Sequence, residues 1–278
     1  MSMTSTNLSD SRRARGRPRD WYDKKEQNTI RSVDRALSIL EILAEAGDAT
    51  LTELSNAARQ TPPTVYRVLV TLEGRGFVEF SSESQRWHIG SRAFLIGSTF
   101  LRRTSLVSRA QPILRQLMEA TGETANLGIE REGQILFLSQ VETTATIRAF
   151  FPPGTISPMH SSGIGKALLA HFTPARLQKV VKSRGLEGFT SRTLTSIVAL
   201  EADLDATRER GFAIDFEERN EGMRCVAASV FDVTDEAIAG ISISGPSSRL
   251  DDVRLADLSN DVVLAANQLS QALGSNRR

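Results

Sequence analysis

Cysteine is almost absent. The single residue, Cys225, cannot form an internal disulfide, which excludes a secreted scaffold held by bridges. No apolar run reaches the length of a membrane span, because Gly, Ser or charge breaks each one within a few residues. The N-terminus opens with Ser, Thr, Asp and Arg and lacks the apolar stretch of a secretion signal, so a cytoplasmic chain is expected. Histidine is scarce as well. His88, His160 and His171, taken with Cys225, show no metal-ligand spacing, so neither metal nor cofactor is expected. An excess of one charge is also missing, with 34 Lys and Arg against 33 Asp and Glu, which excludes a surface that is polycationic throughout. There is no internal repeat and no long low-complexity stretch.

What is present is 278 residues, 40% of them hydrophobic, enough for two domains with real cores. The near-zero charge hides an asymmetry. Residues 1–25 carry seven basic residues against Asp10, Asp20 and Asp23, whereas from Ser105 onward 21 acidic residues outnumber 18 basic ones. Within the first segment, S-R-R-A-R-G-R-P-R (Ser11 to Arg19) contains no acid, and Gly16 and Pro18 oppose a continuous helix. Two readings fit such an arm over residues 1–27. It is a solvated tail, or Arg15, Arg17 and Arg19 enter a narrow A·T-rich minor groove.

The segment that follows favours the second reading. Ile30 to Glu45 has helical periodicity, with Val33, Leu37, Leu40 and Ala44 on one stripe, and Gly47-Asp48 stops it. Thr50, with Glu53 as its capping-box partner, opens a short helix. Pro62-Pro63 open another that ends at Gly74, with Val65, Val68, Leu69 and Leu72 directed inward. Strands at Phe77–Phe80 and Arg86–Ile89 flank a Ser-rich turn. The pattern predicts a winged helix-turn-helix over residues 28–91. The leading turn of its second helix (Thr61, Pro62, Thr64, Val65, Tyr66, Arg67) would meet base edges and phosphates, with Arg86 and Trp87 of the wing along the DNA backbone. A domain with a merely solvated polar face, or a winged helix used for protein contact, is the competing reading.

N-T-I-R-S-V-D-R-A-L-S-I-L-E-I-L, L-T-E-L-S and P-T-V-Y-R-V-L-V-T-L-E-G-R-G-F-V, in that order, resemble the DNA-binding half of the IclR family of bacterial transcriptional regulators. The resemblance implies a linker helix over residues 92–104 that pairs in a dimer, and a C-terminal effector-binding and oligomerisation domain over 105–278 with a GAF-like antiparallel sheet.

The sequence itself supports an α+β domain there. A helix is expected over Ser105–Ala120, then alternating strands around Arg131-Glu132-Gly133, a third strand at Ile147–Phe151 and further strands at Phe212–Phe216, Cys225–Phe231 and Ile238–Ser244. Helices are expected at Gly165–Phe172, Thr173–Arg184, Leu200–Arg210 and the C-terminus, all on one face of the sheet. G-I-G-K (Gly163 to Lys166) lacks the spacing of a phosphate-binding P-loop. Gly163 is expected to let a small carboxylate approach the helix-start amides, and alternation puts Ser242 and Ser244 on one face, Ile241 and Ile243 on the other.

The blocks H-S-S-G-I-G-K-A-L-L-A, R-G-F-A-I-D-F-E-E-R-N-E-G-M-R-C-V-A-A-S-V-F-D and A-G-I-S-I-S-G-P resemble the effector-binding half of the same family. What this implies is a pocket for a small 2-oxo acid. The amides of Gly163 and Ile164 and the hydroxyls of Ser242 and Ser244 would take the carboxylate, and Asp215 and Cys225 would complete the site. Glyoxylate is the first choice, with larger semialdehydes and aromatic acids as alternatives. A homodimer or a dimer of dimers on double-stranded operator DNA is implied too. The chain departs from the family at Ser229, where many members have proline. An ionised Asp215 beside a carboxylate would be repulsive. The rival class is a small hydrolase with Cys225 as nucleophile and His160 or His171 as base. A DNA-compacting protein is disfavoured because the second domain is large and not basic.

Overall fold

Thr50 and Glu53 form the expected capping box. The Thr50 hydroxyl accepts from the Glu53 amide, and the Glu53 carboxylate accepts from the Thr50 amide, fixing the start of α2 (Leu51–Ala57). This helix lies in the first of two compact units, which divide between Ser98 and Thr99 in a computed structural model that describes residues 29–103 and 105–275. The arm with Arg15, Arg17 and Arg19 lies outside the described residues.

The first unit holds α1 (Arg31–Ala46), β1 (Asp48–Ala49), α2, α3 (Pro62–Glu73), β2 (Val78–Ser81), β3 (Arg86–Ile89) and the start of α4 (Ser91–Arg103). Its sheet has the order β1-β3-β2, adding to the expected hairpin a short strand that sequence reading missed. The core comprises Ile39, Leu43, Leu54, Val65, Leu69, Val78 and Trp87. Three expectations fail here. The buried side of α1 is set by Ile39 and Leu43, whereas Val33 and Leu37 are more than half exposed. Val65 is fully buried, so it packs the core and cannot touch a base. Trp87 is buried in the same core, with Phe80 over its ring at 4.9 Å, and is likewise unavailable to a phosphate.

The second unit is built on an antiparallel sheet of order β6-β5-β4-β9-β8-β7, from β4 (Thr124–Arg131), β5 (Gln134–Val141), β6 (Ile156–Pro158), β7 (Ala213–Phe216), β8 (Met223–Phe231) and β9 (Ala237–Pro246). The β4–β5 hairpin turns at Glu132 and Gly133, both at positive φ, as the sequence indicated. Strand period divides the side chains. Val226, Ala228, Val230, Ile241 and Ile243 meet α5 (Ser105–Thr121) and α9 (Asp252–Ala272) on one face. Cys225 and Ala227 meet α6 (Gly163–Leu169) and α8 (Ile197–Arg210) on the other, with α7 (Pro174–Arg184) beyond. Helices therefore cover both faces, not one. The reason is that β8 is buried in all but its first two residues and needs an apolar partner on each side.

The strand expected at Ile147–Phe151 is not formed. Pro152 and Pro153 remove donors that a ladder would need. The segment is held instead by side chains, with the Ala149 carbonyl accepting from Thr124 Oγ1 (3.2 Å) and Gln140 Nε2 (3.4 Å). β6 takes its place at the edge of β5. No helix among the described residues is long and apolar enough to cross a membrane.

Two glycines bring α6 close to its neighbours. A Cβ on Gly165 would lie 2.1 Å from the Met159 carbonyl oxygen, a backbone atom that cannot yield cheaply. Gly165→Ala should therefore destabilise the second unit by about 3 kcal/mol, read as a lowered urea midpoint. A Cβ on Gly163 would lie 2.7 Å from Cys225 Sγ, so the room left by this glycine is filled by the thiol, not by an approaching ligand as the sequence suggested. Gly163→Ala should cost about 1–3 kcal/mol. Cys225→Ala in the same molecule should relieve part of that loss, and urea melts of the two single variants and the double variant measure it.

Candidate functional site

The leading turn of α3 is exposed. Thr61, Pro62, Tyr66 and Arg67 face solvent and Thr64 is half-buried, with Thr61 Oγ1 and Thr64 Oγ1 2.9 Å apart. Pro62 at the start of the helix presets its φ where no amide donor is needed. Arg67 has no carboxylate partner among the described residues, so its charge is available. Arg86 differs. Its Nε lies 2.7 Å from Asp48 Oδ1 and its Nη2 3.0 Å from Glu53 Oε2, so its charge is already answered within the unit and it is not a free phosphate contact. Sequence reading missed this pairing because the partners lie 38 and 33 residues away.

The second site is a small cavity of about 30 Å³ at the start of α6. All six residues expected to hold an effector line it: Gly163, Ile164, Asp215, Cys225, Ser242 and Ser244. Sheet register explains their convergence. Thr124, Ser244, Cys225 and Asp215 stand directly opposite one another across β4, β9, β8 and β7, and Asn126 stands opposite Ser242 one step along. Ser162 caps α6 by accepting from the Gly165 amide at 3.3 Å, which leaves the Gly163 and Ile164 amides without intrahelical acceptors.

The electrostatics are unusual for carboxyl and thiol groups. Burial, and then the nearby Glu218 charge, push the Asp215 carboxyl up to about 7, against the opposing hydrogen bond that its Oδ1 accepts from the Glu218 amide at 2.7 Å. The repulsion anticipated between Asp215 and a carboxylate is thus avoided when Asp215 is protonated. Burial pushes the Cys225 thiol up to about 12, with the Asp215 charge adding to the rise and hydrogen bonding from Ser244 and Ser242 opposing it. Cys225 is a thiol at neutral pH, and a nucleophilic role needs the thiolate. The candidate bases sit elsewhere. His160 Nε2 is 2.9 Å from the Glu187 carbonyl oxygen, and the His171 ring meets Phe231 edge-on; each lines a different cavity. Among the described residues no cluster of His, Cys, Asp and Glu could hold a metal.

Sequence reading missed several residues of this cavity. Phe137 and Phe151 stack at 5.1 Å along its wall. Arg219, whose guanidinium lies 3.8 Å over the Phe189 ring, lines the same space, and its signal was a lone arginine inside the acidic run E-E-R-N-E. Ser161 is fully buried and its hydroxyl has no partner among the described residues. Arg224 also lines the cavity, but its charge is engaged by Glu217 (3.4 Å) and Asp252 (2.8 Å).

Comparison with known proteins agrees with this arrangement. Residues 32–82 match the IclR helix-turn-helix domain, and residues 98–271 match the bacterial transcriptional regulator IclR C-terminal family. The HTH-type transcriptional regulator BhcR of Paracoccus denitrificans is 53% identical over 261 residues, spanning 93% of this chain and 94% of that protein. The transcriptional repressor IclR of Escherichia coli is 40% identical, spanning 89% of this chain and 92% of that one. The crystal structure of Thermotoga maritima IclR superposes with a TM-score of 0.73 at 29% identity, covering 88% of this chain and all of that one. These relatives are regulators and not enzymes, and two of their defining parts, a helix-turn-helix and a sheet domain for a small effector, are those found here. The chain belongs to the IclR family of bacterial transcriptional regulators.

Proposed function

We propose that this regulator controls a catabolic gene cluster in the bacterial cytoplasm and that a small 2-oxo acid, glyoxylate first, modulates its grip on operator DNA. The observation that carries the reading is the convergence of Gly163, Ile164, Asp215, Cys225, Ser242 and Ser244 on one small cavity. Two hydroxyls, two helix-start amides and a protonatable carboxyl suit a compact carboxylate with an adjacent carbonyl or its hydrate. Glyoxylate titrated into a complex of the protein with fluorescent operator should change the binding anisotropy. No change at saturating glyoxylate would reject that effector.

The DNA-reading surface comprises Thr61, Pro62, Thr64, Tyr66 and Arg67, with the arginines of the arm in the adjacent minor groove. Arg67→Ala should weaken operator binding by about 1–3 kcal/mol while leaving the urea midpoint unchanged. Val65→Ala should do the reverse, because Val65 is core. Deleting residues 11–19 should lower the salt dependence by a slope of about 0.9 for each phosphate that the arm neutralises. An unchanged slope would mean the arm is a solubilising tail.

Residues 92–104 serve in this reading as the linker between a DNA-binding part and an effector-binding part, and the regulator works as a dimer or a dimer of dimers. Phe94 on α4 and, separately, Val33 and Leu37 on α1 are more than half exposed, apolar side chains that a twin subunit would cover. Sedimentation equilibrium of the full chain decides the stoichiometry.

A further inference from the structure

The two serines of the cavity are not independent donors. Asn126, fully buried on β4, lies behind both: its Nδ2 is 3.3 Å from Ser242 Oγ and 3.2 Å from Ser244 Oγ. An amide nitrogen has two protons, one for each oxygen. A hydroxyl that accepts from Asn126 still has its own proton to place, and it must place it away from the amide. The neighbour on that side is the Cys225 sulfur, since Ser244 stands directly opposite Cys225 across the β8–β9 ladder and Ser242 lies two residues along on the same face. A hydroxyl proton turned away from the amide therefore faces only a weak acceptor at the cavity wall. A carboxylate oxygen entering the cavity would replace sulfur with a charged acceptor, and charge-assisted hydrogen bonds are about twice as strong as neutral ones.

We propose that Asn126 sets the hydrogen-bonding polarity of the cavity, committing Ser242 and Ser244 as proton donors and so selecting a carboxylate over a group of the same shape that presents its own N–H. The proposal rests on the effector reading above. Turning the amide over would reverse the arrangement: its carbonyl would draw both serine protons inward and leave lone pairs facing the ligand. The two arrangements favour opposite ligands, which makes Asn126 a specificity-determining residue although it need not touch the effector.

The test uses the full-length protein, calorimetric titration, and two compounds of one skeleton, glyoxylate and glyoxylamide. Asn126→Leu, close in size and without a donor, should reduce the preference for glyoxylate about 10-fold. Asn126→Asp, an acceptor for both serines, should shift it by ~100-fold. A merely structural role would weaken both compounds alike. An unchanged ratio overturns the proposal while the effector reading stands.

A second readout needs no ligand. The chain has one cysteine, so the protein has one S–H stretching band in the infrared. Asn126→Asp turns the serine protons inward and leaves hydroxyl lone pairs to which the thiol can donate, so the band should fall in frequency, and adding Ser242→Ala/Ser244→Ala to Asn126→Asp should abolish the fall. A band that Asn126→Asp leaves in place would overturn the proposed orientation. If Asn126→Asp fails to fold, Asn126→Leu carries both measurements. If the wild-type protein binds no glyoxylate, the effector reading and the selectivity claim fall together, and the thiol band still decides how the hydroxyls point.

Discussion

Replacing Lys166 with methionine should destabilise the second unit by about 3–5 kcal/mol at pH 8, a large share of the stability of an ordinary domain. Lys166 is the lysine of G-I-G-K, and its side chain is wholly buried. Its Nζ lies 2.5 Å from Glu218 Oε1 and 3.1 Å from Asp203 Oδ2. The three residues come from α6, from α8 and from the segment after β7, so one ammonium joins the cavity helix to two elements distant in sequence. Removing it would leave two carboxylates facing each other, and Glu218, 4% exposed at its side chain, has little access to water. Burial already raises the Glu218 carboxyl above its ordinary value, with the Lys166 charge opposing that rise. Without the lysine the proton would bind more readily still. The deficit should therefore shrink as pH falls toward about 5, because a neutral Glu218 needs no counter-ion. A triple variant with Glu218→Gln and Asp203→Asn should recover most of the loss. Urea unfolding at pH 8 and pH 5 checks each step. A loss below about 1 kcal/mol that does not vary with pH would contradict the account.

Lys166 also marks where sequence reading stops. The four residues G-I-G-K could be tested against a phosphate-loop spacing and rejected, but nothing in them says that the lysine is buried or names acids 37 and 52 positions away as its partners. Local chemistry was readable: the Thr50–Glu53 box, the Pro62 helix start, the turn at Glu132-Gly133 and the alternation that sorts Ser242 and Ser244 from Ile241 and Ile243 all depend on a few adjacent residues. The six residues of the cavity came from resemblance to a family. Periodicity could place Ser242 on a face but could not bring it beside Asp215. What failed required long-range information. The stripe on α1 was chosen one residue, about 100°, out of phase because Leu and Val also occur on its exposed side. Val65 and Trp87 occupy positions whose neighbours suggest contact with DNA, yet the small first unit needs them for its core. Arg86 reads as a free cation until Asp48 is brought beside it by the β1–β3 pairing.

Asp215 should make effector binding steeply dependent on pH. Its carboxyl titrates near 7, so the protein passes from a neutral to an anionic cavity wall within the range where the regulator works. A carboxylate ligand is repelled by the anion and accepted by the acid, which can donate its O–H to the ligand. Binding therefore takes up a proton above pH 7, and the dissociation constant should rise up to tenfold for each further pH unit. Asp215→Asn, neutral at all pH, should remove the slope and keep the affinity seen in acid. Stability has a linked dependence. The folded carboxyl has a higher pKa than the unfolded one, whose value is the ordinary 3.8, so the native state holds more protons between those values. Stability from this group is complete below pH 4 and is lost as pH rises to about 7, an upper bound of about 4 kcal/mol. Asp215→Asn should accordingly be more stable than the wild type at pH 8 and nearly equal to it at pH 4, by urea unfolding. A residue that lowers stability at neutral pH yet could be replaced by its neutral amide is explained by what it does with a ligand. If the asparagine variant bound glyoxylate with the wild-type pH profile, Asp215 would lose its place in the cavity's chemistry, and the stability difference would be left as the only consequence of its burial.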